Sequence, residues 1–139
     1  MTLTADLYFS FRSPYSYLAI GRYRAMMEEW AVDIALKPVY PLAIRQPDFF
    51  ERNHPNWMRY TFTDMFRVAQ FHGIPFGPPR PDPIVQNVMT REVSVEQPYI
   101  RRLTRVGQAA ARRGQGLAFA HETAKLIWGG AENWHEGEH

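Results

Sequence analysis

The residues best suited to chemistry lie near the start of the chain, in the segment Ser13-Pro14-Tyr15-Ser16. Ser13 is a natural N-cap and Pro14 a natural first helical residue, because proline has no N–H to leave unpaired there. The free N–H groups and the positive dipole end of such a helix favour an anion. The sequence therefore predicts an anion site at Ser13, with the serine at the mouth of a pocket rather than in the core.

The elements around this segment predict a parallel strand–helix–strand unit. Alternating apolar residues predict a strand over Leu7 to Phe11, and the helix is predicted over Pro14 to Trp30. Spacings of three and four predict one buried stripe on that helix, made of Ile20, Tyr23, Met27 and Trp30. A second strand is predicted to end near Leu36 to Val39. A crossover of this length is normally right-handed and belongs to an α/β sheet.

The Ser-Pro-Tyr-Ser segment has the spacing of a Cys-Pro-x-Cys redox motif, with hydroxyls in place of both sulfurs. Here the chain resembles thioredoxin-like proteins of the DsbA type, and within them 2-hydroxychromene-2-carboxylate isomerases and kappa-class glutathione transferases. The resemblance implies that Ser13 holds the thiolate of bound glutathione and that Pro14 and Tyr15 line the same site. It also implies a glutathione contact for Asn53, a role that Asn56 could serve as well. For Asn53, a helix cap or a turn is an equally weighted alternative.

Composition predicts a globular protein of one domain. The chain has 139 residues, of which 45% are hydrophobic and 22% charged. It has no apolar run of about 18 residues and no N-terminal signal-peptide pattern, so we expect a cytoplasmic protein without a membrane partner. Cysteine is absent, which excludes disulfides and thiolate metal sites in this chain, and any thiol must arrive with a ligand.

The middle of the chain predicts a loop followed by a helix. Residues 44–57 are irregular and rich in Pro and Asn, whereas 57–72 have helical spacing and end at Gly73, a natural stop. The spacing of Tyr60, Asp64 and Arg67 on this helix resembles the inserted helical segment of the same family. Residues 74–83 contain five prolines and predict a rigid extended connection.

The rest of the chain predicts mostly helix. Residues 90–111 read as two helical parts, with Pro98 starting the second and with interruptions at Gly107 and Gly114. A last helix is predicted over 117–129, followed by Trp134 as a core anchor. A basic face is formed by Arg101, Arg102, Arg105, Arg112 and Arg113. It is interpreted as solvated surface rather than a nucleic-acid site, because the motifs of the common binding modules are missing.

The final five residues, His135 to His139, satisfy the zinc-protease pattern H-E-x-x-H. Gly-Gly precedes them, Gly137 interrupts them, and no third ligand follows, so the context does not support a helical zinc site. We interpret the segment as a loop and expect no metal.

The fold class expected from these observations is α/β, thioredoxin-like of the DsbA type. Residues 1–139 are expected to form a single domain in which 43–139 are mostly a helical insertion. The second half of the thioredoxin motif is not found in the sequence, and a two-stranded sheet is a poor stand-alone unit. We therefore expect a product incomplete at its C-terminus or a sheet completed by another chain, which allows for a homodimer.

The function implied by the resemblance is that of a glutathione-dependent isomerase of the 2-hydroxychromene-2-carboxylate isomerase type. Ser13 is the expected catalytic residue, and the expected partners are glutathione and an anionic aromatic substrate. A kappa-like glutathione transferase is one alternative. A non-catalytic helical interaction module, or a truncated remnant, is the other.

Overall fold

The computed structural model describes residues 1–87, 89–90 and 92–137 of the chain. The elements follow one another as β1 (Leu3–Phe9), α1 (Pro14–Glu29), β2 (Val32–Pro38), α2 (Leu42–Arg45), α3 (Phe49–Arg52), α4 (Pro55–Phe71), α5 (Pro98–Arg112) and α6 (Gly116–Trp128). No helix among them is both long and apolar enough to span a membrane.

The two strands form a parallel sheet with α1 as the crossover. Their register runs from Leu3 opposite Val32 to Phe9 opposite Pro38. The predicted strand–helix–strand unit is confirmed, but the bounds predicted for the first strand are wrong. The strand begins earlier and ends at Phe9, because the chain turns back where the Ser13 N–H donates to the Ser10 carbonyl at 3.0 Å.

The core lies where the sheet, α1, α5 and α6 pack together. The largest side chains that are almost completely buried are Phe9, Phe11, Ile20, Ile100 and Ile127. The predicted stripe on α1 is only partly correct, because Trp30 is 69% exposed. Trp30 is the C-cap, with extended backbone, and there the chain leaves the helix for β2.

The helix predicted over 57–72 is confirmed as α4, and Gly73 follows it at φ 63°, a conformation that suits glycine. The loop predicted over 44–57 contains the short helix α3 and the start of α4. The last helix, predicted over 117–129, is confirmed as α6, which ends at Trp128 with Gly129 as its C-cap.

Two predictions for the segment before α6 are wrong. Residues 92–97 are not helical, because the buried Gln97 side chain donates to the carbonyls of Val85 and Ser94 at 2.8 Å and holds the segment as a loop. Gly107 does not interrupt α5, which is continuous from Pro98 to Arg112. Instead, Gly107 lets the helix approach Phe11, since a Cβ there would lie 2.8 Å from the Phe11 ring.

The C-terminal segment is held by Trp134, as predicted. Its ring is 8% exposed, and its Nε1 donates to the Pro81 carbonyl at 2.7 Å. His135 lies edge-on against the ring of Tyr99, and no group of three metal-ligating side chains occurs in the part of the chain that is described. His139, the other histidine of the zinc-protease pattern, lies outside the described residues.

Candidate functional site

Ser13 caps α1, as the sequence predicts. Its backbone is extended, and its Oγ accepts a hydrogen bond from the Ser16 N–H at 3.2 Å. Because Oγ serves there as an acceptor, its own hydrogen is left to donate elsewhere, and no described residue accepts it. Pro14 brings no N–H, so the N–H of Tyr15 is the first free backbone donor of the helix. Two donors therefore remain at the positive end of a 16-residue helix.

Tyr15 links this helix end to α4. Its hydroxyl donates to Oδ2 of Asp64 at 2.6 Å, and the hydroxyl of Tyr60 donates to Oδ1 of the same carboxylate at 3.4 Å. Burial, followed by the hydrogen bond and negative charge of Asp64, raises the pKa of Tyr15 well above its usual value. The phenol is therefore neutral at neutral pH and fixes the start of α1 against α4.

Arg12, the residue before the cap, joins the site to the extended connection between α4 and α5. Its Nη2 and Nε donate to the two carboxylate oxygens of Asp82 at 2.9 and 3.2 Å. Oδ1 of Asp82 also accepts from the Ile84 N–H at 3.0 Å. The fork-to-fork geometry fixes the orientation of the guanidinium and uses two of its five N–H donors.

A groove of about 270 Å³ runs beside Arg12. Its apolar walls come from Ala43, Pro47, Phe50, Met58, Phe62 and Val93, while Gln86 and Asn87 add amide groups and Glu51 adds a carboxylate. Ser13 is half-buried and outside the core, yet it is not among the lining residues; its neighbour Arg12 is. The groove is therefore lined by the residue before Ser13, whereas the sequence places Ser13 itself at the mouth of a pocket.

The predicted site residues do not all come together. Ser13, Pro14 and Tyr15 share one helix end, but Asn53 is the C-cap of α3. The amide nitrogen of Asn53 donates to the Phe49 carbonyl at 2.5 Å, which is the capping role weighed as its alternative. A glutathione contact for Asn53 stays a prediction.

Sequence reasoning missed Arg12 and Asp82 and left Asp64 without a role in the site. For Asp64 a signal existed, since its one-turn spacing from Tyr60 places both on one face of α4. For the Arg12–Asp82 pair no local signal exists, because 70 residues separate the partners.

The comparisons with known proteins agree with this fold. The family model described as DSBA-like thioredoxin domain matches residues 4–138. A solved structure of a 2-hydroxychromene-2-carboxylate isomerase superposes with a TM-score of 0.66 at 22% identity. The match covers 96% of this chain and 60% of the isomerase, so the chain spans about three-fifths of that protein's length. A search of curated protein sequences finds no match.

Proposed function

The chain belongs to the family of DSBA-like thioredoxin domains, as the fold class expected from its sequence implies, and from that premise we propose that it binds glutathione at Ser13. We propose the activity of a glutathione-dependent isomerase of the 2-hydroxychromene-2-carboxylate isomerase type. One observation carries the proposal: the Ser13 hydroxyl caps α1 as an acceptor and keeps its hydrogen free at the helix end.

The residues of this helix end fit a thiolate. The Ser13 hydroxyl and the Tyr15 N–H are free to donate, and the helix dipole favours negative charge at the same place. Bound glutathione would supply a thiolate nucleophile for reversible addition to a conjugated aromatic keto acid. Ser13 and the helix end lower the free energy of that thiolate, as helix starts do for protein cysteines. Ser13 thus holds the charge, and Pro14 keeps the cap rigid.

The groove beside Arg12 supports an anionic aromatic substrate. Its walls offer apolar surface to a ring. Glu51 also lines the groove, so the anionic group of the substrate is placed at Arg12, which keeps three N–H donors beyond its bonds to Asp82. Because Asp82 fixes the guanidinium, those donors are preorganised for a carboxylate. Arg12 therefore orients the substrate, while Ser13 acts on the thiolate.

The experiment is a calorimetric titration of the chain with glutathione and with S-methylglutathione, which has no ionisable thiol. We expect glutathione to bind more tightly, and the preference to shrink in Ser13→Ala. Equal affinity for the two ligands would contradict a thiolate site. Conjugation of glutathione to an electrophile without any isomerisation would instead assign a kappa-like transferase, and absence of glutathione binding would favour a non-catalytic module.

A further inference from the structure

A second and larger cleft lies where the end of β2 meets α5. Its volume is about 820 Å³, and none of its lining residues belongs to the Ser13 site. Volumes of roughly 300–1,000 Å³ are typical of small-molecule sites. Residues 105, 108, 109 and 112 of α5 line it at spacings of three and four, so one face of that helix forms a wall.

Four arginines make this cleft strongly cationic. They are Arg45, Arg105, Arg112 and Arg113, and no Asp or Glu lines the cleft. Arg45 is oriented by its Nε, which donates to the Tyr40 carbonyl at 2.7 Å. Within the described residues, none of the ion pairs includes Arg105, Arg112 or Arg113. Four exposed arginines around one cleft with no carboxylate in its lining favour an anion with more than one charged group.

The buried hydroxyl of Thr104 is a second, independent feature of the same cleft. It is a lining residue, it is only 6% exposed, and its Oγ1 has no hydrogen-bond partner among the described residues. Buried polar groups are nearly always paired in folded proteins, so an unpaired hydroxyl in a cleft wall indicates a missing partner. The Oγ1 atom itself has almost no accessible surface, so a ligand oxygen meets it only if the wall of the cleft shifts on binding.

We propose that this arginine cleft binds a small molecule carrying two or more phosphate groups. Arginine donors match phosphate oxygens two at a time, and with that shift the Thr104 hydroxyl becomes a neutral donor beside them. Tyr40, Pro38 and Ala109 give the cleft an apolar wall, which suits a ligand whose phosphates are attached to a ring. The ligand class is therefore a di- or triphosphate, either free or as a nucleotide.

The test is calorimetric titration of the 139-residue chain with pyrophosphate and, separately, with ATP, at about 150 mM salt, where distant surface charges are screened. We expect Arg105→Gln and Arg112→Gln each to lower the affinity about tenfold or more, as for lost charged hydrogen bonds. Arg102→Gln is the matched control, because Arg102 is exposed on the same helix but does not line the cleft. Tighter binding of ATP than of pyrophosphate would assign a nucleotide, and equal binding the free polyphosphate.

A second variant separates binding from stability. Thr104→Val removes the unpaired hydroxyl at nearly constant volume, so we expect an unchanged or higher melting temperature together with weaker pyrophosphate binding. Wild-type affinity in both Arg105→Gln and Arg112→Gln, or an equal loss in Arg102→Gln, would overturn the proposal. Binding of a single-stranded oligonucleotide more tightly than ATP would also overturn it.

Discussion

The hydroxyl of Ser13 has two separable roles. As an acceptor, it caps the Ser16 N–H and stabilises α1; as a donor, it faces whatever anion occupies the helix end. Aspartate keeps the first role and reverses the second, because it caps helices well but brings a negative charge. Substitutions at this one position therefore distinguish structural from chemical effects.

We expect Ser13→Ala to raise the thiol pKa of bound glutathione by about one to two units, the value of a charged hydrogen bond. It should also lower the free energy of unfolding by about 1 kcal/mol, because the cap is lost. Ser13→Asp should keep that stability and raise the thiol pKa further, since like charges disfavour ionisation. The thiolate ultraviolet band against pH measures the first quantity and urea denaturation the second.

Ser16→Ala is the control, since only its backbone N–H takes part in the cap. We expect a far smaller change in thiol pKa there. An unchanged pKa in Ser13→Ala with a raised pKa in Ser16→Ala would place the chemistry on the other hydroxyl.

A second residue-scale prediction concerns Tyr15 and Asp64. Asp64→Asn removes the charge that helps burial to raise the Tyr15 pKa, so that pKa should fall toward its ordinary value without reaching it. Because the folded-state pKa of Tyr15 is the higher one, its contribution to stability is complete below a pH of about 10, the unfolded value, and is lost as the pH rises through the folded pKa. Tyrosinate absorbance against pH measures the change. The titration that disappears in Tyr15→Phe identifies the one that belongs to Tyr15. A Tyr15 pKa unchanged by Asp64→Asn would contradict the role of the carboxylate.

At the scale of elements, the sequence predicts where helices begin and end, but it does not predict how the elements pack together. The cap at Ser13, the helix start at Pro98 and the stop at Gly73 follow from the conformational limits of single residues, and all three were predicted. Gly107 was misread because local propensity treats glycine as a helix breaker. Its actual reason is the Phe11 ring, which comes from a distant part of the chain.

Because packing differs at the two positions, a Gly→Ala substitution should have opposite effects on stability at Gly107 and at Gly21. Gly107→Ala places a methyl 2.8 Å from the Phe11 ring and should destabilise the protein by about 1–3 kcal/mol, despite alanine's better helix propensity. In Gly21→Ala the new methyl would contact only the His121 ring, at 3.7 Å. The gain of about 0.5–1 kcal/mol in stability from alanine's higher helix propensity should therefore remain. Urea denaturation of both variants tests this, and stabilisation by Gly107→Ala would contradict the packing argument.

At the scale of the whole molecule, the Ser-Pro-Tyr-Ser motif was sufficient to predict the fold family, which the family match confirms. The sequence did not predict which distant residues hold the motif in place. Arg12 is bound by Asp82, and the loop before Ser13 is bound by α6 through Trp128. Such pairings depend on the route of the chain between the partners, and residue type alone does not specify that route.

Trp128 shows how strongly the last helix supports the site. Its Nε1 donates to the Phe11 carbonyl at 3.0 Å in a buried position, across 117 residues of sequence. Trp128→Phe keeps an aromatic ring but leaves that buried carbonyl without this donor, so we expect a loss of about 1–3 kcal/mol in the free energy of unfolding.

Because Phe11 lies two residues before Ser13, weaker glutathione binding should accompany the loss of stability. Trp30→Phe is the matched control, since Trp30 is 69% exposed, and we expect a change within about 0.5 kcal/mol there. Urea denaturation and glutathione titration of the two variants give both readouts. If Trp128→Phe lost stability but bound glutathione as the wild type does, α6 would support the fold without positioning the Ser13 loop.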